Sequence, residues 1–256
     1  MAVRVATFNI HHGVGTDGRL DLGRTADVIA GTGATVVGLQ EVDRTWSSRS
    51  GWVDQATWLG DRLGMDVVHG ATIDRDPPDP AAPDGPRRRY GNALLSAHPV
   101  ASWRAIRLPG STRREARGLV HAVVDVHGTP VQVAVTHLQN RSRRERGEQA
   151  AHLADLLTRD GRPASTVVLG DMNAGPDAPE TRALTAVLVD VWAAVGDGPG
   201  HTFPARHPVA RIDHVLVSPD VTALTAEVVD TRASDHRPVV AELALPDGGG
   251  ATDPTG

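Results

Sequence analysis

The sequence predicts an α/β protein built as one large domain. Apolar runs typical of buried strands alternate with amphipathic segments typical of helices along most of the 256 residues. A hydrophobic content of 40% allows a sizeable core, and the length fits one domain at least as well as two small ones. We therefore predict a single domain over residues 1–245, followed by a Gly- and Asp-rich, disordered tail over residues 246–256.

The N-terminal region predicts a strand, a helix, a second strand and a second helix. Residues 3–10 alternate in hydrophobicity, which is typical of a strand. Residues 22–30 carry apolar side chains at helical spacing, and residues 35–43 form the continuous apolar run of a strand that is covered on both faces. Residues 51–63 again repeat apolar side chains at helical spacing, which indicates the second helix.

The middle of the sequence predicts a loop and then antiparallel hairpins. Residues 74–89 are dense in proline and have neither helical nor strand periodicity, which indicates a long surface loop. The strands predicted after this loop are residues 90–97, 103–108, 119–126 and 131–137. A tight turn at residues 127–130 joins the last two, so we expect them to pair as a hairpin.

The C-terminal region predicts two helices and three strands. The helices are residues 144–157 and 178–191, and the strands are residues 165–173, 212–217 and 239–245.

The composition restricts the chemistry that the protein can use. The chain contains no cysteine, so any metal site must use oxygen or imidazole ligands. Its net charge of -5 gives no overall positive field that would hold a polyanion such as nucleic acid. The N-terminus lacks the apolar segment of a signal peptide, and no segment has the length and hydrophobicity of a membrane span. We therefore expect a cytoplasmic protein without integral membrane association.

Polar side chains lie at the ends of the predicted buried strands. They are Asn9, Glu41, His137, Asp171 and Asn173 at strand ends, and Asp213 and the pair Asp235-His236 before or at the start of the last two strands. Ligands bind at strand ends in many α/β proteins. If these ends share one rim of the sheets, the side chains converge there.

Seven short motifs contain most of these residues. They are FN at Phe8-Asn9, LQE at Leu39–Glu41, YGNALLS at Tyr90–Ser96, THL at Thr136–Leu138, GDMN at Gly170–Asn173, RIDHVLVS at Arg211–Ser218 and SDHRPV at Ser234–Val239. In this order they resemble the signature of the endonuclease/exonuclease/phosphatase superfamily, whose members have the DNase I-like fold. The resemblance covers almost the whole chain. It implies a four-layer α/β/β/α sandwich with two mixed β-sheets face to face and helices outside.

The resemblance also implies a metal site. It makes Glu41 the principal metal ligand, with Asn9 beside it and Asp235 assisting directly or through water. Carboxylate and amide oxygens are ligands that Mg²⁺ prefers, and Mn²⁺ fits the same set. We therefore expect a Mg²⁺-dependent hydrolase of phosphoesters.

The same resemblance implies catalytic roles for five residues. Asp213 and His236 form an acid–imidazole dyad in which the carboxylate orients the ring. The general base is either Asp171 or His236, and the sequence does not choose between them. Asn173 is expected to hold the attacking water or a phosphoryl oxygen, and His137 is expected to donate to the developing negative charge.

Further residues are expected to contact the substrate, whose class remains open. Asn92 and Tyr90 are expected to line the same face, and His11 is expected to touch the substrate. The favoured substrate is a small-molecule, lipid-headgroup or nucleotide phosphoester. The alternative is a nuclease for DNA or RNA, which needs arginines on the phosphate backbone. The candidate arginines for such contacts are residues 87–89, 113–114 and 141–146. A non-catalytic binding module with the same fold is a third hypothesis.

Overall fold

The structure is a computed structural model that describes residues 1–79, 82–158 and 165–246. The disordered tail expected from residue 246 lies, from residue 247 onward, outside the described residues.

The strands are β1 (Ala2–Asn9), β2 (Val36–Arg44), β3 (Asp66–Arg75), β4 (Arg88–Ser96), β5 (Val100–Arg107), β6 (Gly118–Val126), β7 (Thr129–His137), β8 (Thr166–Asp171), β9 (Val189–Asp190), β10 (Asp213–Val217), β11 (Thr222–Val228) and β12 (Val239–Ala244). The α-helices are α1 (Leu22–Thr32), α2 (Gln55–Leu63), α3 (Arg143–Thr158), α4 (Pro179–Thr185) and α5 (Val191–Val195), and 3-10 helices span His11–Gly13 and Ser48–Ser50.

The strands form two mixed sheets of six strands each. Sheet I has the order β11-β12-β1-β2-β4-β3, and sheet II has the order β5-β6-β7-β8-β10-β9. One pair in each sheet is parallel, β1 with β2 and β7 with β8, and the other neighbours are antiparallel. Because both parallel strands of each pair end at the same edge, each sheet brings two strand ends together.

Three apolar clusters separate four layers. Valines and leucines from both sheets, such as Val5 and Val36 of sheet I and Val135 and Leu169 of sheet II, form the core between the sheets. The helices α1 and α2 cover the outer face of sheet I, and α3 and α4 cover the outer face of sheet II. The predicted four-layer α/β/β/α sandwich is thus confirmed.

The sheets approach each other closely at Gly38 on β2. A Cβ atom at this position would lie 2.7 Å from the Cβ of Leu169 on the facing sheet. Such a distance is shorter than any contact that two carbon atoms tolerate, so the sheet spacing requires a glycine here.

Local sequence explains where the first helices begin. The carboxylate of Asp21 accepts a hydrogen bond from the Arg24 N–H and caps α1, and Asp54 caps α2 in the same way through the Thr57 N–H. The helix predicted over residues 51–63 therefore begins only at Gln55, after its cap.

Of the two predictions for the middle of the chain, the long loop is partly wrong and the tight turn is present. The loop predicted over residues 74–89 is too long at both ends, because β3 extends to Arg75 and pairs with β4 from Arg88 onward. The tight turn between β6 and β7 is present, with His127 and Gly128 at φ values of 52° and 87°. Positive φ at both central residues is the geometry of the turns that favour hairpins.

The helix predicted over residues 178–191 is wrong. The first half of residues 178–191 contains the helix α4. After it, Val189–Asp190 pairs with β10 as the short strand β9. The carboxylate of Asp190 accepts hydrogen bonds from the N–H groups of Trp192 and Ala193, so a separate helix, α5, begins there.

The helices in the described parts of the chain include none that is long and apolar enough to cross a membrane.

Candidate active site

The two sheets bring polar strand ends together at one rim. Asn9 ends β1 and Glu41 lies in β2, both in sheet I, whereas Asp171 ends β8 in sheet II. The side-chain amide of Asn9 donates to Glu41 Oε1 at 3.2 Å and to Asp171 Oδ2 at 3.1 Å. One buried amide thus connects the carboxylates of the two sheets, as convergence of the strand ends requires.

The acid–imidazole pair lies at the same rim. His236 Nδ1 is 2.9 Å from Asp213 Oδ2, and both residues are buried. Because a carboxylate only accepts, this Nδ1 carries a proton and donates it to Asp213. The hydroxyl of Thr202 also donates to Asp213 Oδ2, at 2.5 Å, and the Phe203 ring lies against the imidazole at 4.7 Å between centroids. These contacts fix the imidazole so that its Nε2 faces Asp171 Oδ2 at 3.7 Å.

Asp171 lies at the centre of this cluster. Its register partners across sheet II are His137 on β7 and Asp213 on β10, which is why these side chains meet. His137 Nε2 approaches Asp171 Oδ2 to 3.3 Å, and the Asn173 N–H donates to Asp171 Oδ1 at 2.9 Å. The pairing of three neighbouring strands therefore assembles most of the predicted catalytic residues.

The tautomer of His137 follows from a buried arginine. Arg117 Nη1 donates to His137 Nδ1 at 3.1 Å and to Glu115 Oε1 at 2.5 Å. An arginine cannot accept a hydrogen bond, so Nδ1 carries no proton and the neutral ring must donate through Nε2, toward Asp171. Burial, helped by the Arg117 charge, lowers the pKa of His137 well below its usual range, so the ring stays neutral.

Asn173 has a left-handed backbone conformation. Its φ is 49°, which is uncommon for a residue other than glycine, although asparagine tolerates it better than most. Its side-chain amide donates to the Leu138 carbonyl at 3.0 Å. The amide nitrogen is thereby held by the backbone.

Glu41 lies at an irregularity of β2. The register of β2 against β4 shifts between Leu39 and Val42, and Glu41 has a φ of 58°. Bulges and positive φ values outside glycine are frequent next to active sites, where they redirect a side chain. Here the bulge aims the Glu41 carboxylate at Asn9. Burial raises the pKa of Glu41, and the hydrogen bond from Asn9 opposes this shift.

Two consecutive histidines complete this side of the rim. His11 and His12 follow β1 with φ values of 45° and 43°, and their rings meet at 4.5 Å between centroids. Their ring nitrogens and the Glu41 carboxylate offer ligand atoms that lie within 4.8 Å of one another. Burial and the nearby charge of Arg49 lower the pKa of His12 to about 4, so this imidazole is neutral at physiological pH. Neutral imidazole is the form that binds metals.

The donor set around Glu41 fits a divalent cation. Glu41 forms no ion pair with an arginine in the described residues, and its one hydrogen-bond donor there is Asn9. A sequestered carboxylate without a cationic partner is normally compensated by a counter-charge such as a metal. Asp235 lies nearby, with its Oδ1 3.8 Å from His11 Nδ1 and its charge among the causes that raise the pKa of Glu41. The oxygens of Glu41, Asn9 and Asp235 could therefore hold the cation, with imidazole nitrogens in reach.

The other predicted substrate contacts have different surroundings. Tyr90 packs against Trp46 at 5.9 Å between ring centroids, and burial together with the charge of Glu41 raises its pKa well above the usual value. Asn92 donates to the carbonyls of Gly118 and Val135, at 2.8 Å and 3.4 Å, and so connects sheet I to sheet II. For Asn92 these are backbone contacts, and its role toward a substrate stays a prediction.

Burial and neighbouring charges have opposing effects on the pKa values of Asp171 and His236. Burial raises the pKa of Asp171 to about 6 against the attraction of the His236 charge. Burial alone would lower the pKa of His236, but the carboxylates of Asp213 and Asp171 outweigh it and raise the pKa to about 10. Both carboxylates thus favour a proton on His236, which lies between them.

The comparison with known proteins agrees with this geometry. The sequence pattern of the Endonuclease/Exonuclease/phosphatase family matches residues 6–236, which include Asn9, Glu41, Asp171, Asp213 and His236. The chain belongs to the endonuclease/exonuclease/phosphatase family. Members of this family hydrolyse phosphoesters, so the prediction of a phosphoric ester hydrolase is confirmed.

Individual proteins of known sequence or structure resemble the chain over most of its length. The Escherichia coli (strain K12) protein YbhP is 29% identical over 259 residues, covering 94% of this chain and 96% of YbhP. The structure of an endonuclease/exonuclease/phosphatase from Beutenbergia cavernae DSM 12333 has a TM-score of 0.81 at 30% identity, covering 95% of this chain and 72% of that one. A mannosyl-6-phosphatase from Bacteroides thetaiotaomicron has a TM-score of 0.73 at 18% identity, covering 95% of this chain and all of that one.

Sequence reasoning did not select two residues that the structure brings to the site. Thr202 and Arg117 are single polar residues that lie 11 and 20 positions from their partners Asp213 and His137, and no local pattern marks them. The adjacency of His11 and His12 to Asn9 indicated that one of the two histidines contacts the substrate, and the structure places both beside Glu41.

Proposed function

We propose that the protein is a Mg²⁺-dependent phosphoesterase that hydrolyses a small-molecule or nucleotide phosphoester by attack of an activated water. The observation that carries this proposal is the single amide of Asn9, which joins the Glu41 carboxylate of one sheet to the Asp171 carboxylate of the other. A metal-binding carboxylate and a proton-accepting carboxylate thereby face one space, as hydrolysis of a phosphoester requires.

Glu41, Asn9 and Asp235 are proposed to hold the cation. A divalent cation bound there would supply neutralisation of the charge on the phosphoryl oxygens. Mn²⁺ suits the same oxygens and tolerates the imidazoles of His11 and His12.

Separate side chains of the protein are proposed to donate and to accept the protons. His236 lies between the carboxylates of Asp213 and Asp171, so it holds its proton and is proposed to donate to the phosphoryl or leaving oxygen. Asp171 is proposed to accept the proton of the attacking water, which the side-chain oxygen of Asn173 orients. His137, whose Nε2–H points into the site, is proposed to stabilise the developing negative charge.

Ion pairing supports a compact substrate over a nucleic acid. Five arginines of the runs that could follow a nucleic-acid backbone form ion pairs within the protein. The pairs are Arg87 with Asp74 and Asp76, Arg89 with Asp74, Arg114 with Glu145, Arg144 with Glu148, and Arg146 with Glu180. A neutralised arginine releases few counterions from DNA or RNA, so these five add little affinity for a polynucleotide. The fold shared with a sugar phosphatase is compatible with this choice.

The test is parallel hydrolysis of p-nitrophenyl phosphate, bis(p-nitrophenyl) phosphate and supercoiled plasmid with Mg²⁺, with Mn²⁺ and with EDTA. We expect release of p-nitrophenol that EDTA abolishes, while the plasmid stays intact. Nicking of the plasmid at a comparable rate would replace the proposal by the nuclease alternative. Lack of hydrolysis of all three substrates with either metal would contradict the proposal of a general phosphoesterase.

A further inference from the structure

A cleft of about 570 Å³ opens where β3 and β5 end, facing the loop between β5 and β6. Its walls carry Trp46 and arginines from three separate segments, namely Arg75, Arg107, and the pair Arg113 and Arg114. Arg107 and the pair Arg113 and Arg114 lie at the end of β5 and in the loop after it, whereas Arg75 ends β3 of the other sheet, so the packing of the two sheets brings these arginines to one concavity.

Three of these arginines have no carboxylate partner among the described residues. Arg75, Arg107 and Arg113 are exposed, and none of them forms an ion pair with a carboxylate in the described part of the chain. Arg75 instead stands over the Trp46 ring at 5.2 Å. The cleft therefore keeps three cations without a carboxylate partner among the described residues, in a protein whose net charge is -5, whereas Arg87 and Arg89 are paired with Asp74.

The carboxylates in the cleft do not cancel this charge. Asp74 is shared by Arg87 and Arg89, and Glu115 is paired with the buried Arg117 at 2.5 Å. These ion pairs engage both acidic groups, which leaves the guanidinium groups of the cleft as the available partners for an anion.

The cleft lies beside the candidate active site. Arg117 bonds both Glu115, which lines the cleft, and His137, which contacts Asp171. Trp46, which also lines the cleft, packs against Tyr90. A substrate whose scissile phosphate lies at Asp171 would therefore have the arginine-lined space beside it.

We infer that this cleft binds a second phosphate of the substrate, so that the preferred substrate class is a small bisphosphorylated ester. This inference rests on the proposed phosphoesterase function. Guanidinium groups bind phosphate through paired, charge-assisted hydrogen bonds, and three of them around one concavity match a compact dianion. A polynucleotide would need cations along a track, whereas the free arginines here enclose one space.

The first measurement compares glucose 1,6-bisphosphate with glucose 6-phosphate as substrates. We expect a higher kcat/KM for the bisphosphate in the unaltered protein. The double substitution Arg107→Gln with Arg113→Gln should lower the ratio of the two kcat/KM values by about tenfold or more, since charge-assisted hydrogen bonds are strong. An unchanged ratio in the double variant would overturn the inference.

Arg104→Gln is the matched control. Arg104 lies on β5 three residues from Arg107, so it faces the other side of the sheet, and it is exposed without an ion pair in the described residues. We expect this variant to keep the ratio of the unaltered protein. An equal loss in Arg104→Gln would show that general surface charge, and not the cleft, sets the preference, and would also overturn the inference.

A binding measurement separates the cleft from catalysis. Calorimetric titration of inorganic pyrophosphate in EDTA requires no turnover and no metal. We expect the affinity to fall about tenfold or more in the double variant and to stay unchanged in Arg104→Gln. If the protein hydrolyses no phosphoester but shows this pattern, the phosphoesterase proposal fails while the anion-binding cleft stands. If hydrolysis occurs but the double variant binds pyrophosphate normally, the cleft inference alone fails.

Discussion

His236 and Asp213 lie 23 positions apart in the sequence, yet Nδ1 of the imidazole is 2.9 Å from Oδ2 of the carboxylate. Asp213 begins β10 directly opposite Asp171 on β8, whereas His236 precedes β12 in the other sheet. The dyad therefore forms only when the two sheets are packed face to face. An intact dyad therefore indicates that the two sheets are packed together as well as that the site is formed.

Replacing Asp213 by Asn is expected to lower kcat strongly. An amide can donate its N–H to the imidazole and thereby stabilise the wrong tautomer, and the charge that holds the His236 proton is lost. Because proton transfer by a positioned group contributes about 10²- to 10⁴-fold, we expect a loss in that range with aryl phosphates. The control is Asp27→Asn on the exposed face of α1, which should keep full activity. A fully active, folded Asp213→Asn variant would contradict the dyad.

Replacing Glu41 by Gln is expected to abolish tight metal binding. The amide retains the shape of the side chain but removes the partly buried negative charge that a cation would neutralise. Titration with Mn²⁺, followed by the loss of its free electron paramagnetic resonance signal, should show Kd raised by about 100-fold or more, since even supporting residues of metal sites contribute 10- to 100-fold. Glu227→Gln offers a matched exposed control. Equal Mn²⁺ affinity in the Glu41 variant and the control would exclude Glu41 as the principal ligand.

Replacing Asp190 by Asn is expected to destabilise the fold without touching the site. Burial opposes ionisation of Asp190, but His214 and Arg211 lower its pKa from 3.8 to about 2. A shift of this size corresponds to about 2 kcal/mol of unfolding free energy, and Arg211 would also lose its buried partner. We expect urea unfolding at pH 7 to show a loss of at least about 2 kcal/mol.

The stabilisation of the fold by Asp190 is expected to change with pH in one direction. The folded pKa of Asp190 lies below its unfolded value, so the stabilisation is present above about pH 4 and is lost as the pH falls toward 2. The difference in unfolding free energy between the unaltered protein and Asp190→Asn should therefore shrink as the pH falls from about 4 to 2. A difference that grows on acidification would contradict the assignment.

Replacing Gly38 by Ala tests the spacing of the two sheets. The added methyl group would lie 2.7 Å from Leu169 Cβ, and overpacking of this kind costs about 1–3 kcal/mol. Gly31→Ala on the exposed side of α1 is the control, because its new methyl group meets no atom within 4 Å. We expect the control to be neutral or stabilised by up to about 1 kcal/mol in thermal unfolding. Equal stability of both variants would contradict the close approach at Gly38.

Sequence reasoning succeeded where local pattern and final structure agree. The continuous apolar runs of β2 and β8 predicted buried central strands, and their polar ends predicted the rim that holds Glu41 and Asp171. These strands are covered on both faces, so hydrophobicity alone marks them. The polar residues at the strand ends, together with the family resemblance, indicated several side chains that lie close together in the structure, such as Asn9, Glu41 and Asp171.

Sequence reasoning failed where the partner decides the structure. The edge strands β3 and β11 are partly exposed and contain polar residues, so their periodicity is weak, and neither was predicted. The segment through Asp190 has helical spacing, but Asp190 bonds Arg211 and caps a new helix, which interrupts the pattern. Arg117 could not be recognised as a site residue from the sequence, because only the pairing of β6 with β7 brings its partner His137 next to it.

The division of roles between Asp171 and His236 is the central claim, and leaving-group dependence tests it most directly. Asp171→Asn and His236→Ala should each be assayed with p-nitrophenyl phosphate and with phenyl phosphate, whose leaving group is more basic. A base acts on the water and an acid acts on the leaving oxygen. We predict that Asp171→Asn lowers kcat by a similar factor for both esters, whereas His236→Ala lowers it at least about tenfold more for phenyl phosphate. A larger leaving-group effect in Asp171→Asn than in His236→Ala would contradict the account.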